Sequence, residues 1–145
     1  MNSTEECVEV CNSLLRGELS AVETYTQAIG KFDGEAEQTA LRGIRSDHEK
    51  AAARLGAHIH DMNAEPSDGS GAWGGFVQAL EGAAMLLGES PALAILERGE
   101  QHGIEEYKDA LGNDDVMEEI KEVIRGQLLP SCAEHLATLG RLKKA

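Results

Sequence analysis

Four residues draw attention by type and position. Glu18 and Glu100 sit on otherwise apolar helical stripes, and His48 and His135 sit on two more. A carboxylate or imidazole turned toward a core needs a partner, because stripping it of water unpaired is unfavourable. Two carboxylates facing two imidazoles would be stabilised by a bound cation, and this donor set suits iron, manganese or zinc. The metal-free alternative uses the same residues differently. The glutamates then reach water at the stripe edges, or pair directly with His48 and His135 or with Arg45.

An internal repeat ties these residues together. Residues 14–30 read LLRGELSAVETYTQAIG and residues 96–112 read LERGEQHGIEEYKDALG, with eight of 17 positions identical at a constant offset of 82. The offset pairs Glu18 with Glu100 and Tyr25 with Tyr107. In each copy the tyrosine follows the glutamate by two helical turns on one face. Aligning His48 with His135 also aligns Leu41 with Leu128, Arg54 with Arg141 and Leu55 with Leu142. A duplicated hairpin predicts a pseudo-two-fold bundle with paired internal positions.

The elements that must hold these side chains are long helices. Ser3-Thr4-Glu5-Glu6 is a capping-box pattern with Ser3 as N-cap. The stripe Cys7, Cys11, Leu14, Leu15, Glu18, Val22, Tyr25, Ile29 follows and stops at Asp33-Gly34. Leu41, Ile44, His48, Ala52, Leu55 and Ile59 mark a second helix running to about Met62. At about 28 residues, each spans roughly 42 Å. Asn63 to Gly71 is a loop, and Trp73, Phe76, Val77, Leu80, Ala84 and Leu87 form a short amphipathic segment within the crossover, residues 63–89. Ser90-Pro91 predicts a helix start with proline at N1. A turn at 112–114 then leads to a fourth helix from about Asp115, which Pro130 should kink. The expectation is one domain over 1–145: an all-α four-helix bundle of two antiparallel hairpins, 3–62 and 90–143, with a long crossover.

Composition narrows the function. The chain has 145 residues, 13 Lys+Arg against 26 Asp+Glu, and a formal charge of −13. That excess opposes binding to nucleic acid or to an anionic membrane, so no nucleic-acid and no membrane partner is expected. Only 3% of residues are aromatic, against an all-β fold. Three cysteines give no disulfide framework, and the opening residues lack a signal-peptide pattern, so a reducing cytoplasm is expected. Cys7 and Cys11, four apart, are read as small core residues, with metal binding or oxidation as the other reading. His58 and His60 are read as surface residues, and His102 as pairing with Glu106 or solvent. Trp73, Phe76 and Leu80 are read as sealing the bundle, or else as a dimer patch, and a homodimer is expected. Gly17 and Gly99, just before the paired glutamates, are read as allowing close helix approach. No nucleotide-binding glycine loop, nucleophile elbow or Cys-x-x-Cys is present.

The segment GELSAVETY, an imidazole on the next helix and the same pair again resemble the ferritin-like superfamily, and most closely the small bacterial DUF2383 group. The resemblance covers nearly the whole chain and implies a ferritin-like fold. It maps Glu18 and Glu100 onto the lone glutamates of a di-iron site and His48 and His135 onto its histidines. Tyr25 and Tyr107 map onto tyrosines beside the carboxylates. It also implies metal or oxidative-stress handling and, if two irons bind, oxygen- or peroxide-linked oxidation of Fe(II). The sequence departs from that pattern where Glu-x-x-His places a bridging glutamate three residues before each histidine. Those positions hold Arg45 and Cys132. Four candidate ligands then suffice for one metal. Arg45 is positioned to neutralise a glutamate, and Cys132 adds a soft donor that shifts preference toward zinc or copper. Asp47 and Glu134 adjoin the histidines, about 100° around their helices from them, and are expected to stand in only through a distortion such as a π-bulge. A metal-free structural or stress-related interaction module is the alternative.

Overall fold

The computed structural model describes residues 2–69 and 88–144. Every regular element among them is helical: α1 (Ser3–Ile29), α2 (Glu35–Asp61), α3 (Glu89–Leu111), α4 (Glu118–Val123), a π-helical turn (Ile124–Leu128) and α5 (Leu129–Lys144). The amphipathic segment from Trp73 to Leu87, and with it the expected seal or dimer patch, lies outside the described residues. No described helix is long and apolar enough to cross a membrane.

Local chemistry sets the helix ends, with three departures from expectation. The N-cap of α1 is Asn2, not Ser3: its backbone is extended and its side chain accepts from the Glu5 N–H at 2.9 Å. Asparagine caps as well as serine, and one residue earlier it satisfies the same kind of orphan donor. Ser3 is thereby freed to donate to Asp115 at 2.9 Å, joining the start of α1 to the turn that follows α3. Helix α3 starts at Glu89 rather than after Ser90, following Gly88 with φ of +97°. Pro91 therefore falls inside the first turn, where no intrahelical N–H is needed. The last long stretch starts at Glu118 rather than Asp115, because Asn113 holds a turn: its side chain accepts from the Asp115 N–H, and its carbonyl from the Val116 N–H. Val116, at 4% exposure, is buried by that turn.

Pro130 produces a widened turn. Having no N–H, it cannot bond the Gly126 carbonyl. The Leu129 N–H instead reaches back five residues to Ile124, closing the π turn. One extra residue there rotates everything downstream, Cys132 and His135 included, relative to α4.

Helices α1 and α2 form a hairpin, α3 packs on α1 and on α5, and α5 packs on α2, giving a helical bundle. Phe32 plugs the α1–α2 turn, where the Gln38 amide donates to its carbonyl at 2.6 Å. At the other end the chain after α2 folds back on α1, with Ser67 N–H donating to Asn12 at 2.8 Å.

The core divides in two. One apolar cluster holds Cys7, Cys11, Leu14, Leu55, Ile59, Ile120 and Ile124. The other holds Ala28, Phe32, Leu41, Ile44, Leu93, Leu96 and Leu139. Cys7 and Cys11 are core residues with free, fully buried thiols, and burial pushes Cys11 up to about 12. By sequence position along α1 and α2, Glu18 and His48 fall between the two clusters. Leu55→Ala and Leu41→Ala each remove a fully buried side chain from a different cluster. Each should lower stability by about 2–5 kcal/mol, measured as a lower urea midpoint at unchanged slope.

Candidate metal centre

The four residues singled out by spacing are all buried, at 3–6% exposure: Glu18 from α1, His48 from α2, Glu100 from α3 and His135 from α5. Glu18 and Glu100 are the only buried acids among the described residues. His48 lies between them. Its Nδ1 is 2.5 Å from Glu18 Oε2 and its Nε2 is 2.6 Å from Glu100 Oε1. An ionised carboxylate only accepts, so both contacts are hydrogen bonds when both ring nitrogens carry protons. That state is the imidazolium. Burial alone would push the His48 pKa down, but Glu18 and Glu100 outweigh it and raise it from 6.5 to about 10.

Glu100 is the hub. Its Oε1 also accepts from Tyr25 at 2.9 Å, and His135 Nδ1 lies 3.1 Å away. Burial would raise its pKa, yet His48 and His135 hold it down at about 2. Tyr107 donates to Glu18. The tyrosines are thus crossed, each bonding the glutamate of the other helix. Both phenol pKa values are pushed well up by burial and then by those carboxylates, so both groups stay donors. Tyr25 stacks on His48, with ring centroids 5.5 Å apart. No buried side-chain polar atom among the described residues lacks a hydrogen-bond partner.

The flanking residues divide. Cys132 is buried beside the carboxylates. Burial first, then Glu100 and Glu18, push its pKa up, so it is a thiol. Arg45 does not pair with either glutamate. Its Nη1 lies 3.5 Å from Thr26 Oγ1 and its Nε 4.0 Å from Glu49 Oε1, on the outer side of α2. The positive charge expected of it is supplied from within by His48. Glu134 is exposed. Asp47 does take part, though not as a bridging acid: its Oδ2 is 2.8 Å from His135 Nε2. Sequence reasoning discounted it because it flanks His48. That flank faces α5, so the signal lay in the helix order. His102 is 3.8 Å from Glu106, as expected, and His60 is exposed while His58 is half-buried. Gly17 and Gly99 line a groove between α1 and α3.

One donor atom from each of His48, Glu100 and His135 lies within 4.8 Å of the others. Glu18 is not in that group; the His48 ring separates it from Glu100. Of the four expected ligands, three converge and the fourth braces one of them.

An all-helical bundle with a buried two-histidine, one-carboxylate cluster is the class defined by fold and site. The sequence profile of a domain of unknown function, DUF2383, matches residues 6–113, and the chain belongs to that family. No curated protein and no solved structure matches the chain.

The pKa values set a pH dependence for the metal-free chain. Stability from Glu100, lowered from 4.5 to about 2, is present above 4.5 and lost as pH falls through about 2. Stability from His48, raised from 6.5 to about 10, is present below 6.5 and lost as pH rises through about 10. The urea-midpoint difference between wild type and His48→Gln should therefore be full below pH 6.5 and shrink toward pH 10. A difference independent of pH over that range would contradict the imidazolium assignment.

Proposed function

We propose that this chain is a ferritin-like protein that binds one divalent transition metal in mid-bundle, with His48 Nε2, Glu100 and His135 Nδ1 as donors. The observation that carries the proposal is the convergence of those three groups between two apolar clusters. The crossed tyrosine–glutamate bonds support a pseudo-two-fold arrangement descended from a duplicated hairpin. Two imidazoles and one carboxylate fit iron, manganese or zinc.

The fit extends outward. A metal-bound histidine ordinarily donates its other ring N–H to a carboxylate or carbonyl, which fixes ring and tautomer. Here Glu18 waits on the far nitrogen of His48 and Asp47 on that of His135. Glu18 thus changes role from ligand to orienting carboxylate, itself held by Tyr107. With Arg45 turned away and a thiol at 132, the second pair of acids of a di-iron centre has no counterpart, so the proposal is a single ion. Three protein donors leave coordination positions open, unlike the closed four-ligand sites of structural zinc. Binding would displace the proton that bridges His48 Nε2 to Glu100 Oε1.

A metal-free interaction module is the second reading. It is favoured by the completeness of the hydrogen bonding, in which the His48 cation neutralises a carboxylate and leaves no orphan.

Protein purified without chelator and assayed by elemental analysis separates the two. About one equivalent of metal is expected, lost in Glu100→Ala and His135→Ala. Glu18→Gln should keep the stoichiometry but weaken affinity about 10–100-fold. Less than about a tenth of an equivalent, with no anaerobic uptake of added metal, would favour the metal-free module.

A further inference from the structure

Among the described residues, openings on two sides of the bundle lead from the surface to the buried cluster. The one between α1 and α3 is narrow, about 50 Å³, and its walls are mostly carbon, including Leu14, Ala21, Ile95 and Gly103. The other, between α2 and the chain through the π turn into α5, is about 310 Å³ and far more polar. Asp47, Lys50, Arg54, Gln127, Ser131 and His135 line it. A hydrated cation moving inward gives up water and must find oxygen or nitrogen donors in exchange, or bear the desolvation cost. Both openings carry such donors, Ser20, Thr24 and Glu106 among those of the narrow one, but among the described residues the second is the wider and the more polar.

At its inner end the donors are already in series. The Asp47 side chain is 43% exposed, yet its Oδ2 is 2.8 Å from His135 Nε2. On the other side of the same ring, Nδ1 is 3.1 Å from Glu100 Oε1. Ser131 Oγ stands 3.3 Å from His135 Nε2 as a further oxygen. Asp47 is therefore a carboxylate that meets both water and the buried cluster.

We propose that divalent transition cations reach the buried donors through the α2–α5 cavity, captured first by the Asp47 carboxylate and passed on to His135. This rests on the metal-binding reading above and adds the route. The charge of −13 draws cations toward the molecule as a whole but selects no opening. Selection is local. Asp47 attracts at the mouth, while Lys50 and Arg54, on the same side of α2, repel. Uptake is thus held below what Asp47 alone would give, and the two signs make opposite predictions.

Stopped-flow mixing of the metal-free chain with Co(II), followed by its visible absorption, tests the route. Asp47→Asn should slow association about tenfold, beyond any faster release that follows from losing its contact with His135, and Asp47→Glu should restore most of the association rate. Lys50→Gln/Arg54→Gln should accelerate association severalfold, whereas Lys108→Gln/Lys144→Gln, the same charge change away from the cavity, should not. Circular dichroism checks that each variant is folded. Wild-type association in Asp47→Asn would overturn the route while leaving metal binding intact. Normal association with faster release would leave Asp47 a support for His135 and nothing more and also overturn it, as would a Lys50/Arg54 variant that matches its control. A wild-type chain that takes up no cobalt would overturn the metal-binding reading and the route together.

Discussion

The structure turns on one interaction, the His48 imidazolium clasped between Glu18 and Glu100 in the middle of a helical bundle. Two buried carboxylates repel each other and resent the loss of water. A cation between them answers both problems, and here it is carried on a side chain, with 2.5 and 2.6 Å contacts on the two ring nitrogens. The same ring has to be released from Glu100 for a metal to take its place. On the proposed metal-binding reading, proton and metal are thus competing answers to one electrostatic demand.

Much of the surrounding fold serves that layer. The apolar clusters on either side exclude water and strengthen every contact within it. Tyr25 and Tyr107 each draw a glutamate across from the opposite helix, tying α1 to α3 where small residues leave a groove. The π turn before Pro130 sets the rotation at which Cys132 and His135 enter the bundle. Asp47 closes the series at the surface, so the layer is continuous from core to water.

Much of this was legible in the residues. Helical periodicity located the long helices to within a few residues, because stripes such as Leu41, Ile44, His48 and Leu55 are set by the 3.6-residue turn. The repeat identified the glutamate and tyrosine pairs. What spacing does not encode is which neighbour a side chain meets. Arg45 is the right charge at a plausible position, but its long side chain reaches outward to Thr26 and Glu49. Asp47 was set aside by its angle to His48, although contact with His135 depends on which helix lies on that flank. Caps shifted by a residue because Asn2 and Ser3 are chemically near-equivalent, and the start at Glu118 was displaced by a turn held by one asparagine side chain.

The most direct test is NMR of the metal-free chain with labelled imidazole nitrogens, recorded midway between His48's ordinary 6.5 and its raised value of about 10. An imidazolium gives two protonated, strongly hydrogen-bonded ring nitrogens for His48 under those conditions. A neutral ring, with one protonated and one bare nitrogen, would contradict the clasp on which the site depends.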